Sequence, residues 1–118
     1  MYTMTGTRPD LSSVMSLVSR FQSNLRDEHW KAVKRILRYL KGIMNYALTY
    51  KGGTEITIEG YSDASYLADP DDAKCTSGYV FMLGGGAVSW KSKKQDIVSL
   101  STMEFEYVAC CIAAKEAM

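Results

Sequence analysis

Apolar positions recur along this chain with two different periods, and the change of period divides it. In LSSVMSLVSRF, residues 11–21, Leu11, Val14, Met15, Val18 and Phe21 fall at intervals of three and four, the spacing of one helical face. Pro9-Asp10 in front reads as the N-cap of that helix. A second helix is predicted from about Glu28 to Lys41, with Trp30, Val33, Ile36, Leu37 and Leu40 as its apolar stripe. Asp27 is its expected N-cap and Gly42 its C′ residue. Between residues 43 and 52 the period falls to two. YALTY and ITIEGYSD then read as strands joined by the turn KGGTE. The loop LADPDDAKCTS leads to GYVFML, a short run predicted as a buried strand. Gly84-Gly85-Gly86 is a tight turn into AVSWKSK, where Val88 and Trp90 alternate with Ser89 and Lys91. From Ser101 onward, STMEFEYVACCIAAKEAM is predicted as a helix. The order is two helices, three or four antiparallel strands and a helix, an α/β chain.

Composition narrows this picture. A chain of 118 residues suits one domain, or a small domain plus a piece of another. At 47% hydrophobic and 23% charged residues it is a globular chain. A net charge of +1 gives no global attraction to nucleic acid, so any basic surface must be local. Cys75, Cys110 and Cys111 show no CxxC spacing, which argues against a disulfide framework or a zinc site and for a reducing, intracellular setting. The opening MYTMTGTRPD has no apolar core of signal-peptide length, and no run of about 18 apolar residues occurs, so no membrane association is expected.

Asp63, in GYSDAS, is the first chemical anomaly. Asp is depleted from strands, and burying its charge unpaired costs several kcal/mol. The last helix holds the second. Ser101 with Glu104 three residues later forms a capping box, which gives Glu104 a structural role. Glu106 has no such role and falls at the edge of an apolar arc of Met103, Tyr107, Cys110, Ala114 and Ala117. Two readings follow. Glu106 reaches water from the border of the stripe, or it converges with Asp63 on a hard divalent cation such as Mg²⁺.

The run YSDASYLADPDDAKCTSGYVFMLGGGAVSWKSKKQDIVSLSTMEFEYVA resembles the ribonuclease H domain of copia-type long-terminal-repeat retrotransposon Pol polyproteins. TRPDLSSVMSLVSRFQSNLRDEHWKAVKRILRYLKG is similar to the end of reverse transcriptase, its thumb and connection, in the same polyproteins. The resemblance implies a helical thumb and connection remnant over 1–45 and a partial, truncated ribonuclease H-like domain over 46–118. It also implies cleavage of the RNA strand of RNA–DNA hybrids by two Mg²⁺ ions held by four acids. Asp63 matches the SDA acid and Glu106 the acid of EFEYVA, so both are the expected catalytic and metal-binding residues. The third and fourth acids belong to a later DN motif and beyond, and neither occurs before Met118. Hydrolysis by this chain alone is therefore not expected, and a degenerate remnant that at most binds nucleic acid is the alternative. The implied setting is cytoplasmic, in virus-like particles, or nuclear, with the rest of the Pol polyprotein as a partner.

Opposite its apolar stripe the second helix carries Lys31, Lys34, Arg35, Arg38 and Lys41. This is a solvated face or, as the resemblance implies, a track for phosphates of a hybrid or template–primer duplex. Lys91, Lys93 and Lys94 form a second basic cluster, which contacts the hybrid backbone or guards an edge strand. Asp69, Asp71 and Asp72 lack the Gly and the twelfth-position Glu of a calcium loop and read as a solvated turn. His29 is expected to cap or pack, and Gly84–Gly86 is no phosphate loop, since no Lys-Ser/Thr follows.

Overall fold

The computed structural model describes residues 5–53, 56–65, 74–98 and 100–118. Its contacts divide the chain into two compact units, Met1–Leu48 and Thr49–Met118.

In the first unit a 3₁₀ turn at Pro9–Leu11 leads into helix α1 (Ser12–Ser19), and helix α2 (Asp27–Gly42) follows. Helix α1 is shorter than its pattern predicted. The chain enters through the tighter turn at Pro9, and beyond Ser19 it makes i→i−3 bonds, from Arg20 N to the Leu17 carbonyl and Phe21 N to the Val18 carbonyl. Helix α2 starts from Arg26, not Asp27. The extended Arg26 donates its backbone N–H to His29 Nδ1 at 3.1 Å, and the His29 ring stacks on Phe21 with centroids 4.1 Å apart. The lone histidine is thus spent on capping and packing.

The buried stripe of α2 is narrower than predicted. Ile36 is buried and Val33 and Leu40 half-buried, whereas Trp30 is 53% and Leu37 57% exposed. At 100° per residue Val33 and Leu40 lie about 60° and 40° from Ile36, but Leu37 and Trp30 lie about 100° and 120° away. They sit past the edge of the face that the first unit covers.

In the second unit, strands β1 (Ile58–Ser65), β2 (Thr76–Leu83) and β3 (Gly86–Lys94) form an antiparallel sheet in the order β1-β2-β3, and helix α3 (Thr102–Ala117) follows. Asp63 pairs with Gly78 and Ala64 with Ser77. Across β2 and β3, Phe81 pairs with Ser89 and Met82 with Ala87, so Val88 is left over as a bulge. That bulge breaks the predicted Val88–Trp90 alternation.

The core of this unit is Ala64, Cys75, Phe105 and Ala109. On α3 the buried positions are Phe105 and Ala109, with Val108 and Ile112 half-buried, an i, i+3, i+4, i+7 stripe. The predicted arc pointed elsewhere, and its Met103 and Tyr107 are 79% and 71% exposed. Gln95 locks the arrangement. Its buried Nε2 donates to Ser77 Oγ and to the Phe105 carbonyl, and its backbone N–H donates to the Cys75 carbonyl at 2.8 Å. At the start of α3, Ser101 Oγ accepts the Glu104 N–H at 3.3 Å while Glu104 Oε2 accepts the Leu100 N–H at 2.9 Å. The capping box forms, reaching one residue further back than the standard pattern.

YALTY is not a strand. Its last residue docks instead on the β2–β3 turn, where Tyr50 OH donates to the Ala87 carbonyl at 2.7 Å and Lys51 N–H to the Gly84 carbonyl at 2.8 Å. Gly84 and Gly85 take φ of +58° and +81°, as the turn requires. A Cβ on Gly86 would lie 2.6 Å from the Tyr50 ring, so that glycine makes room for the docked segment. None of the described helices is long and apolar enough to cross a membrane.

Candidate functional site

Helix α3 lies against the face of the sheet that carries Ala64, and the strand residue that touches it beside Ala64 is Ser62. Its Oγ is 3.8 Å from Cys110 Sγ. Successive side chains on a strand alternate, so Asp63 belongs to the opposite face. Glu106 sits one turn before Cys110, on the same flank of α3. The segments bearing the two acids therefore adjoin at the Ser62–Cys110 contact, while strand alternation turns Asp63 away from the helix.

Both acids are exposed. The expectation of a carboxylate pressed into the sheet's interior is corrected on this point: Asp63 lies on the face of β1 away from α3 and is exposed, without a burial cost. Glu106 likewise borders the buried stripe and reaches water. Among the described residues no group of three or more His, Cys, Asp or Glu side chains gathers as a metal site. Both acids are exposed, and strand alternation sets Asp63 on the sheet face that α3 does not cover. Asp69, Asp71 and Asp72 lie outside the described residues.

The basic residues of α2 form a continuous surface. Going round the helix away from Ile36, Leu37 and Trp30 come first, then Lys41, Lys34, Arg38, Lys31 and Arg35, over about 160°. All of these side chains are exposed, and Lys34 Nζ lies 5.6 Å from the Trp30 ring centroid. The β3 cluster does not hold together in this way. Lys91 and Lys93 line a cavity with Ser77, Tyr79, Asp96 and Ile112 on the helix-covered face, and alternation places Lys94 on the other. Lys93 Nζ is also paired with Asp96 at 3.4 Å.

One cluster escaped the sequence reading. Asp10, expected as an N-cap, instead receives Arg8 through Nε at 3.1 Å and Nη2 at 2.7 Å, and the Tyr39 hydroxyl at 2.6 Å. The Arg8 hydrogen bonds hold the Asp10 carboxyl at about 2, below its ordinary range, and Tyr39, which donates to Asp10, is raised. The available signal was the Arg-x-Asp spacing of TRPD, which places both ends of an ion pair in one short turn. These residues line a cavity of about 370 Å³ with Ile43 and Tyr46.

The chain is similar to several known proteins. The chain is 47% identical over 116 residues to a retrovirus-related Pol polyprotein from transposon TNT 1-94 of Nicotiana tabacum, 98% of this chain and 9% of the relative. It is 45% identical over 118 residues to secreted RxLR effector protein 161 of Plasmopara viticola, all of this chain and 83% of the relative. It is 43% identical over 101 residues to a retrovirus-related Pol polyprotein from transposon RE2 of Arabidopsis thaliana, 86% of this chain and 7% of the relative. The chain thus spans less than a tenth of these two polyproteins. No family model and no solved structure matches it.

Proposed function

We propose, from the premise that the chain belongs to a sequence family shared by retrotransposon Pol polyproteins and secreted RxLR effector protein 161 of Plasmopara viticola, a role as one segment of a copia-type Pol polyprotein. In that segment the helical end of reverse transcriptase passes into the first strands and helix of a ribonuclease H-like domain. The observation that carries this reading is the Ser62–Cys110 contact, which sets the SDA segment of β1 beside the EYVA segment of α3. The parent domain would hydrolyse the RNA strand of an RNA–DNA hybrid, with Asp63 and Glu106 as two of its acids and Mg²⁺ supplying water activation and charge neutralisation when bound. In this chain the two exposed acids would hold Mg²⁺ weakly, because Mg²⁺ sheds its waters reluctantly and needs near-octahedral ligation. The chain by itself is then inactive, and the rest of the polyprotein is its context.

Its own contribution is sequence-independent binding of a hybrid or template–primer duplex through the cationic face of α2, whose charges meet phosphates. The Plasmopara viticola relative, of which this chain spans 83%, leaves room for a second reading: a non-enzymatic remnant that at most binds nucleic acid through α2. The test is to incubate the purified chain with a labelled RNA–DNA hybrid and Mg²⁺ or Mn²⁺, beside Asp63→Asn. Binding at low salt without cleavage is expected. Cleavage that Asp63→Asn abolishes would make the chain a nuclease in its own right, and failure to bind the hybrid at low salt would remove the proposed role of α2.

A further inference from the structure

The exposed face of α2 carries more than charge. Trp30 is 53% exposed and Leu37 57%, and both flank the arc that holds Lys31, Lys34, Arg35, Arg38 and Lys41. Phosphate contacts to a duplex need cations alone and leave the indole beside them unused. An aromatic ring set among cations is the composition that holds unpaired nucleic acid, because every free base offers a π-face to stack while its phosphates meet the neighbouring charges.

We propose that Trp30 is a stacking platform for an unpaired nucleobase and that α2 thereby binds single-stranded nucleic acid. This rests on the nucleic-acid reading of α2 given above and narrows its ligand. Stacking requires an open ring face, and bases inside a duplex have theirs covered by their neighbours, so the platform discriminates single strands, overhangs and frayed ends from closed duplex. Lys34 rests 5.6 Å from the indole centroid. An exposed cation–π contact of this kind is weaker than the stacking of a base, so an arriving base displaces the ammonium, which stays within reach of that nucleotide's phosphate. Lys31 and Lys41 are ten residues apart, about 15 Å along the helix axis, so the row reaches beyond a single nucleotide of a strand laid along it. Trp30 lies at one end of this row, so a strand laid along α2 has one stacked base and a run of phosphate contacts.

The experiment uses the full 118-residue chain, a labelled oligo-dT and a DNA hairpin with both ends closed by non-nucleotide linkers, which offers no unpaired base. Trp30→Ala is expected to weaken oligo-dT binding by about 5- to 150-fold, the equivalent of one stacked base. Binding of the closed hairpin should change less than about twofold. Trp30→Phe should recover part of the loss, because it restores a ring, and oligo-dT should quench indole emission in the wild-type chain. Equal losses on both probes, or no quenching at saturation, would overturn the stacking platform. Hairpin binding without oligo-dT binding would also overturn it while leaving the duplex reading of α2 intact, whereas loss of both probes would sink the two together. If Trp30→Ala does not fold, as its circular dichroism would show, Trp30→Phe and the wild-type quenching decide.

Discussion

Ser62 joins Ala64 in meeting helix α3 from β1, with its hydroxyl 3.8 Å from Cys110 Sγ, and Asp63 between them does not. The contact joins the two segments that carry the acids, and strand alternation leaves Asp63 facing away. Both acids are exposed. Asp63→Asn and Glu106→Gln should each leave unfolding free energy within about 0.5 kcal/mol of wild type, the range of surface substitutions away from special features. Millimolar Mg²⁺ should not raise the melting temperature, since a ligand stabilises only in proportion to its occupancy. A rise of several degrees that Asp63→Asn removes would show that the acids do share an ion.

Phe105 and Tyr107 distinguish the true buried face of α3 from the predicted one. Phe105 is 2% exposed and Tyr107 71%. Phe105→Ala should destabilise the second unit by about 3–5 kcal/mol, as lost transfer energy and an unfilled cavity combine. Tyr107→Ala should cost less than about 0.5 kcal/mol. Denaturant melts of the two variants separate the faces directly, and a reversed order would restore the predicted arc.

Gln95 is the buried polar hinge of the same unit. Because the Phe105 carbonyl only accepts, the amide nitrogen must be the atom that faces it, and the same nitrogen serves Ser77 Oγ. Gln95→Leu keeps much of the volume but removes both hydrogen bonds of the amide nitrogen. The expected loss is about 0.5–1.5 kcal/mol in equilibrium unfolding, the net worth of a typical hydrogen bond. A neutral Gln95→Leu would mean that water takes over the bond.

These contrasts mark which parts of the molecule could be read from residues alone. The Ser101–Glu104 cap, the positive-φ glycines at the β2–β3 turn and the capping by His29 are local devices, decided by neighbours within four residues. The face of α3 is not. Met103, Phe105, Tyr107, Val108, Cys110 and Ile112 put apolar side chains around most of its circumference, so periodicity selects no single side. Ala64 and Cys75, far off in sequence, make the choice by offering room for Phe105. YALTY alternates like a strand, yet it ends on the Tyr50 hydroxyl bond to Ala87, and the backbone N–H that follows, of Lys51, bonds the β2–β3 turn and no ladder. In the candidate site Asp63 and Glu106 could be picked out as unusual, but the side on which a strand presents an acid depends on which neighbours the helix covers.

Asp10 gives the first unit a defined response to acid. Its folded value of about 2 lies below the ordinary 3.8, chiefly because of the Arg8 hydrogen bonds. A depressed carboxyl contributes stability that is fully present above its unfolded value and is lost as pH falls through the folded one. The helical circular dichroism of the first unit should therefore weaken between about pH 4 and pH 2. Asp10→Asn should remove this step, lowering stability at neutral pH and flattening the acid response. An Asp10→Asn profile that still falls over the same window would assign the transition to another group.

The two basic clusters make opposite predictions about salt. On α2, Lys31, Arg35 and Arg38 are exposed neighbours on one arc, each free to release a counterion when it meets a phosphate. Replacing all three by Ala should flatten the slope of log K against log salt for hybrid binding by up to about three units, near 0.9 per neutralised phosphate. On β3, Lys91 and Lys93 share one sheet face with Lys93 paired to Asp96, while Lys94 lies on the other face. They cannot meet one strand of phosphates together, so Lys91→Ala, Lys93→Ala and Lys94→Ala combined should change the slope by less than about one unit. The measurement is equilibrium binding of a labelled hybrid over a salt series for both triple variants. Equal changes in slope would mean that the ligand also spans β3, and an unchanged slope in the α2 variant would reduce that helix to a solvated face.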